Sequence, residues 1–178
     1  MVDMTATGGA IREIQLADGS RARVRPLHAE DEDLLRSALA EMSERSLYLR
    51  FLSPLKRLPG DIAHHLAAVD GEARFALCAL SGRPERIVGV ARYDRLPGSD
   101  IAEVAVAVID SRQRQGIGSQ LLAMLAGVAR DHGINTFTLV VLPENQGMLR
   151  LLRRLGWIHQ ARLQGGLYEI TFALTSVA

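Results

Sequence analysis

The run Ile101-Ala-Glu-Val-Ala-Val-Ala-Val-Ile109, followed by Asp110-Ser-Arg-Gln-Arg-Gln-Gly-Ile-Gly-Ser119, decides how this chain folds. Eight of the nine residues from Ile101 to Ile109 are aliphatic, which predicts a central strand covered on both faces. The period then changes. Ile117, Leu121, Leu125 and Val128 recur on one face of a helix that ends at His132-Gly133. Between strand and helix stands Gln113-Arg114-Gln115-Gly116-Ile117-Gly118. Glycines there let the backbone take positive φ and approach a ligand, and the free N–H groups of the helix's first turn point at it. The segment reads as an anion cradle, with Arg114 a nearby cation for a phosphate. An ordinary glycine-containing strand–helix turn carries the same pattern.

Glu103 is the exception in the strand. A carboxylate in so apolar a run is costly unless it is paired, neutral or wet. It reads either as a general base or as a glutamate bridging to an arginine such as Arg92 on the neighbouring strand.

Upstream, Phe75 to Leu80 and Ile87 to Tyr93 are β-rich runs, set off by Ser81-Gly82 and Pro97-Gly98. Ile11 to Leu16 and Arg21 to Leu27 flank Asp18-Gly19, a hairpin signal. From His28 to Leu52 the pattern is helical, with Leu34, Leu35, Ala38, Leu39 and Met42 at threes and fours; Asp61 to Val69 forms a short helix after Pro54 and Pro59-Gly60. Downstream come a strand from Thr136 to Leu142 and a helix from Glu144 to Leu155 stopped by Gly156. A hairpin follows, Ile158 to Leu163 with Leu167 to Leu174 across Gly165-Gly166. Residues 1–10 read as a loose tail and 11–178 as one mixed α/β layered domain.

Composition narrows the function. The chain has 178 residues, 48% hydrophobic and 23% charged, with a net charge of +1. That is the balance of an ordinary globule rather than of a nucleic-acid binder, and aromatics at 4% leave little for base stacking. Cys78 is alone, so no internal disulfide or cysteine-built zinc site is expected, and no metal. His64-His65 are neighbours splayed on a helix, poor geometry for one metal, while His28, His132 and His159 read as surface or capping residues. Cys78 itself reads as a small buried hydrophobe. No signal peptide or membrane span is legible, so a cytoplasmic protein without membrane partners is expected. A homodimer is compatible with the sequence.

Two phosphate motifs are excluded. A dinucleotide fingerprint requires a third glycine where Leu121 stands, and a P-loop requires a lysine, yet Lys56 is the only lysine in the chain. What remains is a diphosphate or similar anion held mainly by backbone.

Gln113-x-x-Gly116-x-Gly118 opening a helix, after Val106-Ala107-Val108, resembles the acetyl-CoA motif of the GNAT N-acetyltransferase superfamily. Leu142-Pro143-Glu144-Asn145, Met148-Leu149 and Leu155-Gly156-Trp157 are similar to that superfamily's next strand–helix block. The resemblance runs from about Arg21 to Leu174 and implies a fold with a mixed, mostly antiparallel central sheet flanked by helices and splayed for acetyl-CoA. It implies that the amides of Arg114, Gln115, Gly116, Ile117, Gly118 and Ser119, with Gln113, hold the pyrophosphate. It further implies that the pantetheine pairs along Val106, Ala107 and Val108, and that Asn145 lies near the cofactor. Glu103 then becomes the base that helps a protonated amine lose its proton. A lysine of pKa about 10.4 is only about one part in 2,500 neutral at pH 7, a deficit of roughly 4.6 kcal/mol. Many members carry a tyrosine donor seven residues after the asparagine; that position here is Leu152. Tyr168 reads as packing.

Ser43-Glu44-Arg45-Ser46-Leu47-Tyr48-Leu49-Arg50-Phe51-Leu52-Ser53-Pro54 is similar to the helical signature of bacterial protein lysine acetyltransferases of the Pat type, as are Val88 to Tyr93 and Ala102 to Ala105. This resemblance implies a protein lysine acceptor and direct transfer, with Tyr48 and Arg50 facing substrate. The same segment also reads as core, through Leu47, Tyr48, Phe51 and Leu52. Alternatives are a small-amine acceptor, such as an antibiotic or polyamine, and a CoA-binding sensor without turnover. A concave acidic pocket would favour the small cation and an open flat groove a protein. Self-modification of a side chain could fall only on Lys56.

Overall fold

Antiparallel pairing builds all of one eight-stranded sheet except a single seam. The computed structural model describes residues 11–54, 60–158 and 160–174. The tail expected over 1–10, Lys56 and His159 lie outside the described residues. The Asp18-Gly19 signal forms its hairpin between β1 (Arg12–Gln15) and β2 (Arg21–Pro26), with Gly19 at φ 82°. Next come β3 (Arg74–Ser81), β4 (Arg86–Arg95) and β5 (Ile101–Val108), each antiparallel to its neighbour. β6 (Thr136–Val141) joins β5 in parallel, and β7 (Gln160–Gln164) with β8 (Leu167–Ala173) completes the order β1-β2-β3-β4-β5-β6-β8-β7.

The helical pattern from His28 to Leu52 is not one helix. A 3₁₀ turn at Ala29–Asp31 leads into α1 (Glu32–Ala40), and α2 (Glu44–Phe51) starts afresh at Ser43. Ser43 is extended (ψ 156°), and its hydroxyl accepts from the Ser46 N–H at 3.2 Å, so the side chain supplies a helix start that apolar periodicity does not reveal. With α3 (Ile62–Ala67), α1 packs on the front of the sheet at β4. On the back, α4 (Ile117–Asp131) buries Ile117, Leu121 and Leu125 against β3, β4 and β5. Gly89 permits that approach, since a Cβ there would stand 2.9 Å from Ile117 Cγ2. α5 (Gln146–Arg154) starts after Asn145 rather than at Glu144, because the Asn145 side chain accepts from the Met148 N–H at 3.1 Å and caps it. Beneath these helices Tyr93, Phe137, Phe172 and Trp157 stack edge and face, and Cys78 is fully buried in β3.

β5 and β6 pair only through Ile101↔Thr136, Ala102↔Phe137 and Glu103↔Thr138. Beyond Glu103 the two strands part, opening a wedge in the middle of the sheet. The expectation that β5 is covered on both faces is therefore corrected. Ala102 and Val104 are buried, Glu103 is exposed, and Ala105 to Val108 are half-buried. The run is aliphatic because its alternate residues face α4 behind and the α1–α3 roof in front, and that roof stops short of Glu103.

Candidate active site

At the wide end of the wedge lies the glycine turn. Gly116 stands at φ 86° as N-cap of α4, and Arg114 is left-handed at φ 62°. Among the described residues, no acceptor lies in hydrogen-bonding geometry with the main-chain N–H groups from Arg114 to Ser119. Free amides at the start of a fifteen-residue helix have the geometry and dipole that favour an anion. The β1–β2 hairpin buttresses it: the Ala17 N–H donates to the Gln115 carbonyl at 3.2 Å, and Arg112 pairs with Asp18 at 3.3 Å. Gly118 allows close packing, as a Cβ there would lie 3.0 Å from Leu151 Cδ1.

β5 supplies the wedge's inner edge. The Ile109 N–H donates to the Val88 carbonyl at 3.1 Å, so by the alternation of an antiparallel ladder Ala107 turns its backbone groups toward β4. Val106 and the Val108 N–H then face the wedge, while the Val108 carbonyl accepts from Gln113 Nε2 at 3.1 Å. An extended chain could add here as a strand. Gln113 also donates to Ser46 Oγ at 3.1 Å. Asp110, which the sequence reading passed over, accepts from the Ser43 N–H (2.9 Å), Ser43 Oγ (2.7 Å) and Ser46 Oγ (2.9 Å). Burial pushes its carboxyl up, but the serine hydrogen bonds outweigh this and hold it below the ordinary carboxylate range. This network ties α2 to the turn. Its signal was a serine at a helix start, without any indication of the partner.

Glu103 lies where the wedge closes. Its cross-strand neighbour is Asp94, and Thr138 stands beside it on β6. Arg92 does not bridge to Glu103. It takes Asp94 instead, through Nε at 3.0 Å and Nη2 at 2.9 Å, and donates to the Leu66 carbonyl at 2.9 Å. Two carboxylates face each other and one arginine neutralises Asp94, so the exposed Glu103 carboxylate has no ion-pair partner among the described residues. About 17 Å of strand separates Val108 from Glu103 at ~3.3 Å per residue. A single ligand that reached both the turn and Glu103 would have to span about that length.

Other sequence candidates are placed less directly. Tyr48 and Arg50 are half-buried on α2, with Arg50 lining a cavity in front of β5. Asn145 is committed to capping α5. Leu152 is completely buried and has no proton to donate. Tyr168 packs against the core, and His132 caps α4 while its ring meets the Tyr93 hydroxyl at 2.6 Å. Burial pushes the Cys78 thiol up to about 11.

The acetyltransferase (GNAT) family profile matches residues 36–157 of the chain that forms this splayed, mostly antiparallel sheet. The chain belongs to that family. It is similar to acetyltransferase Pat of Mycolicibacterium smegmatis, 29% identical over 150 residues that make up 83% of this chain and 45% of the relative; the chain thus spans less than half of that protein's length. The crystal structure of the GNAT domain of S. lividans PAT superposes with TM-score 0.85 at 33% identity, covering 92% of this chain and 96% of that one. yncA of Salmonella typhimurium, solved with its cofactor acetyl-CoA, shares the fold at TM-score 0.69 and 18% identity, over 89% of this chain and 97% of the other.

Proposed function

We propose that this chain transfers an acetyl group from acetyl-CoA to a lysine side chain of a protein, in the cytoplasm, with Glu103 as general base. One observation carries the reading: the unpaired Glu103 carboxylate stands where β5 and β6 part, at the far end of a wedge headed by the free amides of Arg114 to Ser119. Acetyl-CoA supplies an activated acyl group. The amides of the turn bind its diphosphate, and Val106 with the Val108 N–H orient the arm along β5. Glu103 takes a proton from the incoming ammonium, directly or through a water, as the nitrogen attacks; the new C–N bond forms as the C–S bond breaks. Leu152 donates nothing, so solvent protonates the departing thiolate. The front faces of β6, β8 and β7 beside Glu103 are open, with Val140, Thr171, Glu169 and Arg162 exposed. That uncovered ledge, and the lack of acids among the described residues lining the adjacent cavity, supports a protein acceptor over a small polyamine.

The test is transfer from labelled acetyl-CoA to lysine-containing proteins and to polyamines, by wild type and Glu103→Gln, across pH. Glu103→Gln should lose about 10²–10⁴-fold in kcat with little change in acetyl-CoA affinity. Equal rates for the two proteins discard the assigned base, and turnover of polyamines alone discards the acceptor.

A further inference from the structure

Beneath the α1–α3 roof, a cavity of about 40 Å³ opens over Ala105 and Ala107, beside the free edge of β5. Leu39, Met42, Phe51 and Leu66 help line it, and among the described residues its charged lining is Arg50 and Arg92. Arg92 is satisfied by Asp94 and the Leu66 carbonyl. Arg50 has no carboxylate or hydrogen-bond acceptor among the described residues, and its guanidinium carbon sits 4.9 Å from the centre of the Phe51 ring. Burial, then the neighbouring Arg92 charge, lowers its pKa to about 10, so it remains cationic at neutral pH.

The three charged groups at this place, Arg50, Arg92 and Asp94, sum to one positive charge. An ammonium entering the cavity would be repelled, so an amine acceptor must approach Glu103 from its open side. A carboxylate would find an unmatched fork of N–H donors in apolar surroundings, where such a pairing is strongest. On its floor, beside Gly89, Val90 and Ile109, Ala105 and Ala107 project little above β5. We propose that this cavity receives the acyl end of the donor and that, among acyl groups larger than the acetyl it transfers, Arg50 favours one ending in a carboxylate, of the succinyl kind. This rests on the reading that a CoA thioester lies in the wedge.

Calorimetric titration of the full chain with acetyl-CoA, butyryl-CoA and succinyl-CoA tests it without knowledge of the acceptor. Wild type should bind succinyl-CoA at least tenfold more tightly than butyryl-CoA. Arg50→Met should reduce that ratio to within about twofold, and Arg50→Lys should restore part of it. Equal binding of the two thioesters by wild type, a comparison that needs no variant, overturns the proposal, as does a preference that survives in Arg50→Met. Acetyl-CoA binding without a succinyl preference refutes this inference alone, whereas failure of all three thioesters to bind refutes the cofactor reading beneath it.

Discussion

Replacing Gly116 with alanine isolates the backbone contribution of the turn. Gly116 stands at φ 86°, where an L-residue is strained, and the nearest heavy atom to an added Cβ is Gln120 Nε2 at 3.6 Å. The substitution is therefore free of collision, and its cost is conformational. Left-handed backbone costs a residue with a Cβ about 1–2 kcal/mol, while the smaller freedom of alanine in the unfolded chain returns about 0.4–1 kcal/mol. The net loss is about 1 kcal/mol, which for a chain of this size lowers Tm by about 2–4 °C. The chain escapes strain by rotating the peptide at Gly116, which turns N–H groups out of convergence. Acetyl-CoA affinity should then fall by about fivefold, the equivalent of ~1 kcal/mol. Arg114→Gly is the control. Arg114 already bears a left-handed φ of 62°, so glycine relieves strain there, offset by its greater unfolded-state entropy, and stability should scarcely move. Urea unfolding gives the stability change and calorimetry the affinity. Gly116→Ala indistinguishable from wild type in both would refute the claim that this backbone geometry builds the anion site.

Two further predictions concern buried groups. Arg25 donates to both oxygens of Asp31, at 2.6 and 2.7 Å; these hydrogen bonds hold the carboxyl below its ordinary 3.8. Because the folded pKa is depressed, this stabilisation is present above about pH 4 and is lost as pH falls through the lowered value. With side chains only 17% and 9% exposed, Asp31→Asn should cost about 1–3 kcal/mol at pH 7. The gap from wild type in urea midpoint should narrow below pH 4; a gap independent of pH contradicts the pairing. Cys78, fully buried with its thiol pushed up to about 11, should resist a disulfide reagent in native protein and react once denaturant is added. Rapid native labelling would show that β3 opens.

The periodicities of two and of three to four were enough to find every strand of the sheet and the long helix α4, because alternation and amphipathic spacing are local. Helix starts were harder. α2 and α5 are delimited by Ser43 and Asn145, whose side chains cap main-chain N–H groups that apolar spacing does not register. Glu103 stood out as one acid among aliphatic residues, but its surroundings were misread. The same run serves a buried strand and a strand half-facing a wedge, since small aliphatic side chains suit both.

By itself the sequence determined the order of strands and helices, the glycine turn, and the isolated carboxylate, all of which are written in residue types at short spacing. Only the tertiary structure decided that Arg92 would not meet Glu103. Arg92 and Asp94 share one face of β4 and satisfy each other, leaving Glu103 unpaired and Arg50 without a carboxylate among the described residues. It also decided where β5 leaves β6, because strand divergence is set by packing among elements far apart in the chain and no local pattern encodes it.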